Sequence, residues 1–250
     1  MPLGRRLLQL LYGSYAWTLF AALGVLSVVV LLLTPSLRCR RALVRRMAAT
    51  ALWLIGMRVR TRALERIVAP CVVVANHSSY LDGVVMAAVM PPSFSFVIKR
   101  EMASFPLAGT LLRRIGAEFV ERQDRERSAR DARRLIRSAE NGQALVFFPE
   151  GTFTAAVGLL RFHIGAFAAA ARGNMAVIPV ALRGTRACLP PEHILPHPGV
   201  IEVEVLPVLP AQSGLTAAQQ SALPAQLRDA ARAALLAALD EPDLVPRHDD

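Results

Sequence analysis

The distribution of apolar positions divides the chain into parts with different grammar. Leu7 to Leu37 contains no charged residue, and its inner stretch, Trp17 to Leu33, reads WTLFAALGVLSVVVLLL. At about 1.5 Å per residue that stretch covers roughly 25 Å. Extended back through Leu11, Tyr12 and Tyr15, it is long enough to cross a hydrocarbon core or to lie deep in one leaflet. Tyr12, Tyr15 and Trp17 gather at one end, as in an interfacial aromatic belt. A cleaved signal peptide has a shorter apolar core followed by a small-residue cleavage site, whereas Pro35-Ser36-Leu37-Arg38 follows here. The apolar segment, residues 12–34, therefore reads as a retained anchor. Met47 to Met57 is apolar but too short to span, and with its flanking arginines it predicts an interfacial helix over 42–60.

From Val68 onward short apolar runs alternate with helical periodicity, which predicts an α/β domain. Cys71 to Ala75 is continuous and β-branched, as expected of a strand buried on both faces. A helix is predicted over 80–90, stopped by Pro91-Pro92, and a strand over 94–98. Residues 122–141 place Ala129, Ala132, Leu135, Ile136 and Ala139 at helical spacing, with Glu126 and Arg130 paired at i,i+4. The charges of that helix read as a solvated face. Further strands are predicted over 144–148, 176–182 and 200–206, with a small-residue helix over 165–172 capped by Gly173. Thr216 and Gln219 form a capping-box pattern ahead of an Ala/Leu-rich helix reaching about Leu239, and the polar end beyond it is expected to fray. The predicted organisation is a membrane-anchoring region (1–62), an α/β domain (63–210), and a C-terminal helix and tail (211–250).

Charge changes the picture by its location. The chain of 250 residues is 54% hydrophobic with a formal net charge of +10, a combination that excludes intrinsic disorder. Ten of its 29 basic residues are arginines that precede the first acidic residue, Glu65, which leaves 19 basic against 19 acidic in the remainder. The surplus belongs to the segment around the apolar run. Five arginines at 38–46 outnumber Arg5 and Arg6 on the other side, so the positive-inside rule places the body at the cytoplasmic face of the cell (inner) membrane. The expected partner is an anionic membrane rather than nucleic acid, because these arginines flank lipid-like sequence and are not interleaved with base-stacking aromatics. Cys39, Cys71 and Cys188 are scattered and odd in number, so they read as reduced, ordinary thiols rather than disulfide or zinc ligands.

Candidate chemistry follows two of the predicted strands. After Cys71–Ala75 comes Asn76-His77-Ser78-Ser79-Tyr80-Leu81-Asp82. On one continuous helix His77 and Asp82 would lie about 140° apart. They can meet if His77 stands in the strand-to-helix loop and Asp82 in the first helical turn. A carboxylate there is favoured by the helix N-terminus and can accept the imidazole N–H, leaving the other ring nitrogen as a general base. The second constellation, Phe148-Pro149-Glu150-Gly151-Thr152, also follows a strand, at the sheet edge where α/β proteins bind ligands. Between them lies Gly116-Ala117-Glu118-Phe119-Val120-Glu121-Arg122, and beyond them Val177-Ile178-Pro179-Val180.

These four elements, in this order over roughly residues 60–210, resemble the glycerolipid acyltransferases, specifically the 1-acyl-glycerol-3-phosphate acyltransferases. The family's NHxxxxD motif is matched at Asn76, His77 and Asp82, and its FPEGT motif at Phe148 to Thr152. The resemblance implies a mixed central sheet flanked by helices. It implies a lysolipid acceptor whose sn-2 hydroxyl is acylated from acyl-CoA or acyl carrier protein, giving phosphatidic acid. It assigns His77 as the base and Asp82 as its orienting partner. Asn76, Lys99, Arg122, Glu150, Gly151 and Thr152 become substrate-binding residues, with Gly151 and Thr152 offering N–H groups and a hydroxyl. No cofactor or metal is expected, since a thioester is already activated. Phe153 and His163 stand where the family often has basic residues. Fewer cations at the acceptor site keep a second acceptor open, another lysolipid such as lyso-ornithine lipid, and leave a non-catalytic lipid-binding homologue as the third reading.

Overall fold

The computed structural model describes residues 3–121 and 124–245. In chain order it runs α1 (Leu3–Leu33), α2 (Leu37–Leu54), β1 (Met57–Arg62), β2 (Cys71–Ala75), α3 (Leu81–Val89), β3 (Ser95–Lys99), α4 (Pro106–Arg114) and β4 (Glu118–Val120). It continues through α5 (Arg125–Glu140), β5 (Leu145–Phe147), α6 (Gly165–Arg172), β6 (Ala176–Arg183), α7 (Thr185–Cys188), β7 (Gly199–Val205) and α8 (Ala217–Leu239). Among the described residues the strands form one mixed sheet in the order β1-β7-β6-β2-β5-β3-β4. Neighbours are parallel except β6 and β7, which run antiparallel.

Alternation along β2 fixes the layers. Cys71, Val73 and Ala75 point into a core shared with Ala16 of α1, Leu52 of α2 and Val85 of α3. Val72 and Val74 point the other way, into a core shared with Leu135 of α5, Phe167 of α6 and Leu235 of α8. With helices on both faces, the strand can be apolar at every position, and all five residues are buried. The same burial pushes the Cys71 thiol up to about 12. Cys39, by contrast, is exposed. The capping box is present: the Thr216 side chain accepts from the Gln219 N–H while Gln219 Oε1 accepts from the Thr216 N–H.

The N-terminal region departs from expectation in one part. Residues 42–60 do not form one interfacial helix: α2 ends at Leu54, Gly56 turns the chain with φ +73°, and β1 joins the sheet edge parallel to β7. A side chain at that φ would be strained, so the glycine sets the break. The alternation Met57-Arg58-Val59-Arg60-Thr61-Arg62 is the period of a strand, with Met57 buried and the arginines on the exposed edge, where charge discourages further pairing. Helix α2 is itself amphipathic, burying Val44, Ala51 and Leu52.

Helix α1 is long and apolar enough to cross a membrane, and only 17% of its most apolar window is buried. It is nonetheless tied to the body. Tyr12 Oη donates to the Ile55 carbonyl at 2.6 Å, Tyr15 Oη to Leu54 at 3.1 Å, and Trp17 Nε1 to Ile194 at 2.6 Å. Two of these three aromatic donors thus satisfy carbonyls that the end of α2 leaves open. Arginines of α2 do similar work: Arg41 Nε donates to the Ile115 carbonyl at 2.8 Å and Arg45 Nε to Ala88 at 3.3 Å.

Candidate active site

The His77 loop is built by main-chain groups converging on one carboxylate. Asp82 lies in the first turn of α3 and is fully buried. Its Oδ2 accepts from His77 Nδ1 at 2.8 Å, from the Ser78 N–H at 2.6 Å and from the Ser79 N–H at 2.8 Å. The five-residue spacing therefore closes because His77 stands in the loop, not on the helix. Ser79 Oγ donates to the Leu189 carbonyl at 2.7 Å, and Ser78 Oγ lies 3.1 Å from Thr185 Oγ1, which fasten the loop to the α7 region. With Nδ1 facing Asp82, Nε2 of His77 has no partner among the described residues, and the side chain is 20% exposed. Phe148 stacks on the imidazole at 4.4 Å, and Phe153 meets it edge-on at 4.6 Å and Tyr80 at 4.7 Å. These rings leave the base oriented and partly screened from water. The arrangement is that of a positioned general base.

Glu150 is brought to the same loop but in a different capacity from the one its motif implies. It is buried; Oε1 accepts from the His77 N–H at 2.6 Å and Oε2 from the Leu160 N–H at 2.9 Å. Both oxygens are thus engaged by the chain itself, and Glu150 holds the backbone of the base rather than presenting a ligand to solvent. Asn76 is similarly engaged. Its Oδ1 accepts from the Leu182 N–H at 2.7 Å and its Nδ2 donates to the Leu182 carbonyl at 3.0 Å, which clips the end of β2 to β6. In this structure both side chains position main chain, each bonded to it at both ends, and neither presents a free polar atom to a ligand.

Burial pushes the Glu150 carboxyl up from an ordinary 4.5 to about 7, against the Leu160 and His77 N–H groups, which favour its charged form. The folded chain thus keeps a proton that the unfolded chain releases near 4.5. Glu150 therefore withdraws stability as pH rises from about 4.5 to about 7, with no further loss above. Thermal unfolding of the detergent-solubilised protein should show wild type losing about 3 kcal/mol relative to Glu150→Gln across that window. A difference that stays constant from pH 5 to pH 8 would contradict the shift.

The remaining predicted residues divide. Gly151 adopts φ +76°, which favours glycine, and its N–H donates to the Phe148 carbonyl at 3.0 Å, so this N–H closes the turn instead of facing a ligand. Thr152 is exposed on that turn. Lys99, at the carboxyl end of β3, pairs with Glu101 at 3.0 Å and makes no hydrogen bond or ion pair to His77, Asp82 or Glu150 among the described residues. Arg122 lies outside the described residues. Two contributors carry no motif. Phe153 touches both His77 and Tyr80, and Arg186 donates from Nη1 to the carbonyls of Thr154, Ala155 and Ala156 at 2.9, 3.3 and 3.0 Å. Arg186 thereby shapes the loop that follows Phe153. The departure of Phe153 from the resembled pattern was its one sequence signal; Arg186 had none.

The sequence profile of the acyltransferase family matches residues 58–183, which include β2, the His77 loop, β5 and the Glu150 turn. A 1-acyl-sn-glycerol-3-phosphate acyltransferase of Neisseria gonorrhoeae is 36% identical over 111 residues, 44% of this chain and 43% of that protein. A lyso-ornithine lipid O-acyltransferase of Pseudomonas aeruginosa is 32% identical over 182 residues, 66% of this chain and 68% of that protein. The crystal structure of the 1-acyl-sn-glycerophosphate acyltransferase from Thermotoga maritima superposes with a TM-score of 0.68 at 20% identity, covering 91% of this chain and 95% of that one, which establishes the shared fold. The chain spans less than half the length of the curated relatives it first matches. With the profile covering half of its residues and the fold shared almost end to end, the chain belongs to the acyltransferase family.

Proposed function

We propose that the protein is a membrane-bound O-acyltransferase that moves an acyl chain from acyl-CoA or an acyl carrier protein to the sn-2 hydroxyl of 1-acyl-glycerol-3-phosphate, giving phosphatidic acid. The observation that carries the reading is the unpartnered Nε2 of a histidine whose Nδ1 is fixed by a fully buried Asp82. Nε2 accepts the proton of the acceptor hydroxyl as its oxygen attacks the thioester carbonyl. The C–S bond then breaks, and the thiolate takes the proton back from the imidazolium. The Asp82 carboxylate stabilises the imidazolium between the two steps. The thioester is already activated, so this sequence requires neither a metal nor a cofactor.

Membrane residence is part of the proposal. Leu7, Leu8, Leu11, Val25, Val29 and Leu33 of α1 are all exposed. A row of large apolar side chains of this length is costly in water and stable in lipid. We place the catalytic domain on the cytoplasmic side of the inner membrane, on the arginine asymmetry around α1.

One observation favours a second acceptor. Phe153 occupies the loop beside His77 where the resembled family often carries a cation, and an apolar ring does not recognise a phosphate. A lyso-ornithine lipid acyltransferase is also among the relatives with extended coverage. Incubating the purified protein with acyl-CoA or acyl carrier protein thioester and either lysophosphatidate or lyso-ornithine lipid separates the readings. The expected product is phosphatidic acid. Product from lyso-ornithine lipid alone would replace the acceptor, and saturable lysolipid binding without turnover would make the protein a non-catalytic lipid binder.

A further inference from the structure

We propose that the arginine face of α5 docks an acidic carrier protein that delivers the acyl thioester, an inference that rests on the acyl-transfer reading above. The stretch from Lys99 to Arg137 holds eleven basic residues against six acidic ones, although the chain from Glu65 onward is formally neutral. The local carboxylates do not quench this surplus. Asp131 is buried and shared by Arg100 at 2.8 Å and Arg134 at 2.9 Å, Glu118 pairs with Arg134 at 3.0 Å, and Asp124 pairs with Arg127 at 3.2 Å. Arg130, Arg133 and Arg137 are exposed and have no carboxylate at ion-pair distance among the described residues: the expected Glu126–Arg130 pair does not form, and Asp124 acts on Arg130 only at longer range.

Their spacing makes them a single stripe. Positions 130, 133 and 137 are i, i+3 and i+7 on α5, about 10 Å from end to end. Together with Arg100, Arg127 and Arg134 they line one groove. Like charges at this spacing destabilise a helix unless something neutralises them. A row of carboxylates on a partner helix has the matching period.

Placement selects a protein over a bilayer. The inner side of α5, with Leu135 and Ala139, packs on the sheet face that carries α6 and α8. Helices α1 and α2 contribute Ala16 and Leu52 to the core on the opposite face. A membrane that solvates α1 therefore meets the other side of the sheet. The stripe has one end near the carboxyl edge of the sheet: Asp131, next to Arg130, accepts from Arg100 just past β3 and from the Glu121 N–H just past β4, on the edge where β2 leads into His77. From β2 to β4 is three strand intervals, about 14 Å across the sheet, and the thioester arm of a carrier docked at the Arg130 end would run along that edge.

The test uses the full-length protein in detergent and the triple variant Arg130→Glu, Arg133→Glu, Arg137→Glu. Fluorescence anisotropy measures binding of labelled holo acyl carrier protein, and turnover is compared for one acyl group carried by that protein or by CoA. The variant should lose about tenfold or more in carrier affinity and in kcat/KM with the carrier thioester, and wild-type binding should weaken steeply with salt. Its kcat/KM with acyl-CoA should stay within about twofold. Unchanged carrier binding, or equal losses with both donors, would overturn the proposal. Loss of binding to phosphatidylglycerol vesicles with carrier binding retained would make the stripe a membrane contact instead. If no donor supports turnover, the acyl-transfer reading fails, and anisotropy still decides whether the stripe binds the carrier.

Discussion

His77→Ala should lower acyl transfer by about 10³- to 10⁴-fold, down to what substrate positioning alone supplies. The imidazole is the group whose free nitrogen faces outward while its other nitrogen is held 2.8 Å from Asp82. Alanine removes the base, with its ring contacts to Phe148 and Phe153, but keeps the main-chain bonds that hold the loop. The main-chain N–H of residue 77 still donates to Glu150, and Ser78 and Ser79 still donate to Asp82. The thermal midpoint should therefore move little, and vesicle binding through α1 should be unchanged. Steady-state turnover of the purified variant checks this. Activity within tenfold of wild type would remove His77 as the base, whatever the motif implies.

The part of this site that was legible in the sequence is the part made by neighbours. His77 and Asp82 are five apart, and the loop-to-helix geometry that joins them is dictated locally by a strand end and a helix start. Strand β2 was equally plain, because a strand covered on both faces is apolar at every position. The roles of Asn76 and Glu150 were not legible. Their partners are Leu182, 106 residues away, and the His77 and Leu160 main chains, 73 and 10 residues away. No short-range pattern distinguishes a polar residue that binds a ligand from one that binds distant backbone. The family motif pointed to both residues, but the burial that decides between those uses is a property of the assembled sheet.

The arginines teach the same lesson from the other side. Ten of them before Glu65 read as one headgroup-seeking population. In the fold they divide: Arg58, Arg60 and Arg62 belong to an edge strand, while Arg41 and Arg45 bond carbonyls of the α/β domain. The period-two alternation of β1 was visible, yet an apolar run just before it drew the helix forward across Gly56. Arg41 reaches the carbonyls of Ile115 and Gly116, which lead into β4. The N-terminal helices are thus packed and hydrogen-bonded to the domain that holds His77, not joined to it as a loose tether.

Asp82→Asn should reduce kcat by about 10²- to 10⁴-fold while leaving KM within a few-fold, and this variant separates charge from geometry. Asparagine keeps the volume. Its orientation is set by Ser78 and Ser79, whose N–H groups both need the oxygen that Oδ2 now supplies. That orientation also presents an oxygen to His77 Nδ1, so the ring keeps its direction and Nε2 stays free. The amide nitrogen then falls at Oδ1, which is buried and has no partner in the described structure. Its two N–H groups go unsatisfied, at a cost of about 1–3 kcal/mol in stability. What the variant lacks is the negative charge beside the imidazolium that forms when His77 takes the hydroxyl proton, so the loss falls on the chemical step. Asp82→Ala instead orphans three donors at once and should destabilise the fold by about 3–5 kcal/mol. Turnover and thermal midpoint measured on both variants distinguish the outcomes. If Asp82→Asn retains wild-type kcat, the carboxylate only shapes the loop, and the charge of Asp82 plays no part in moving the proton.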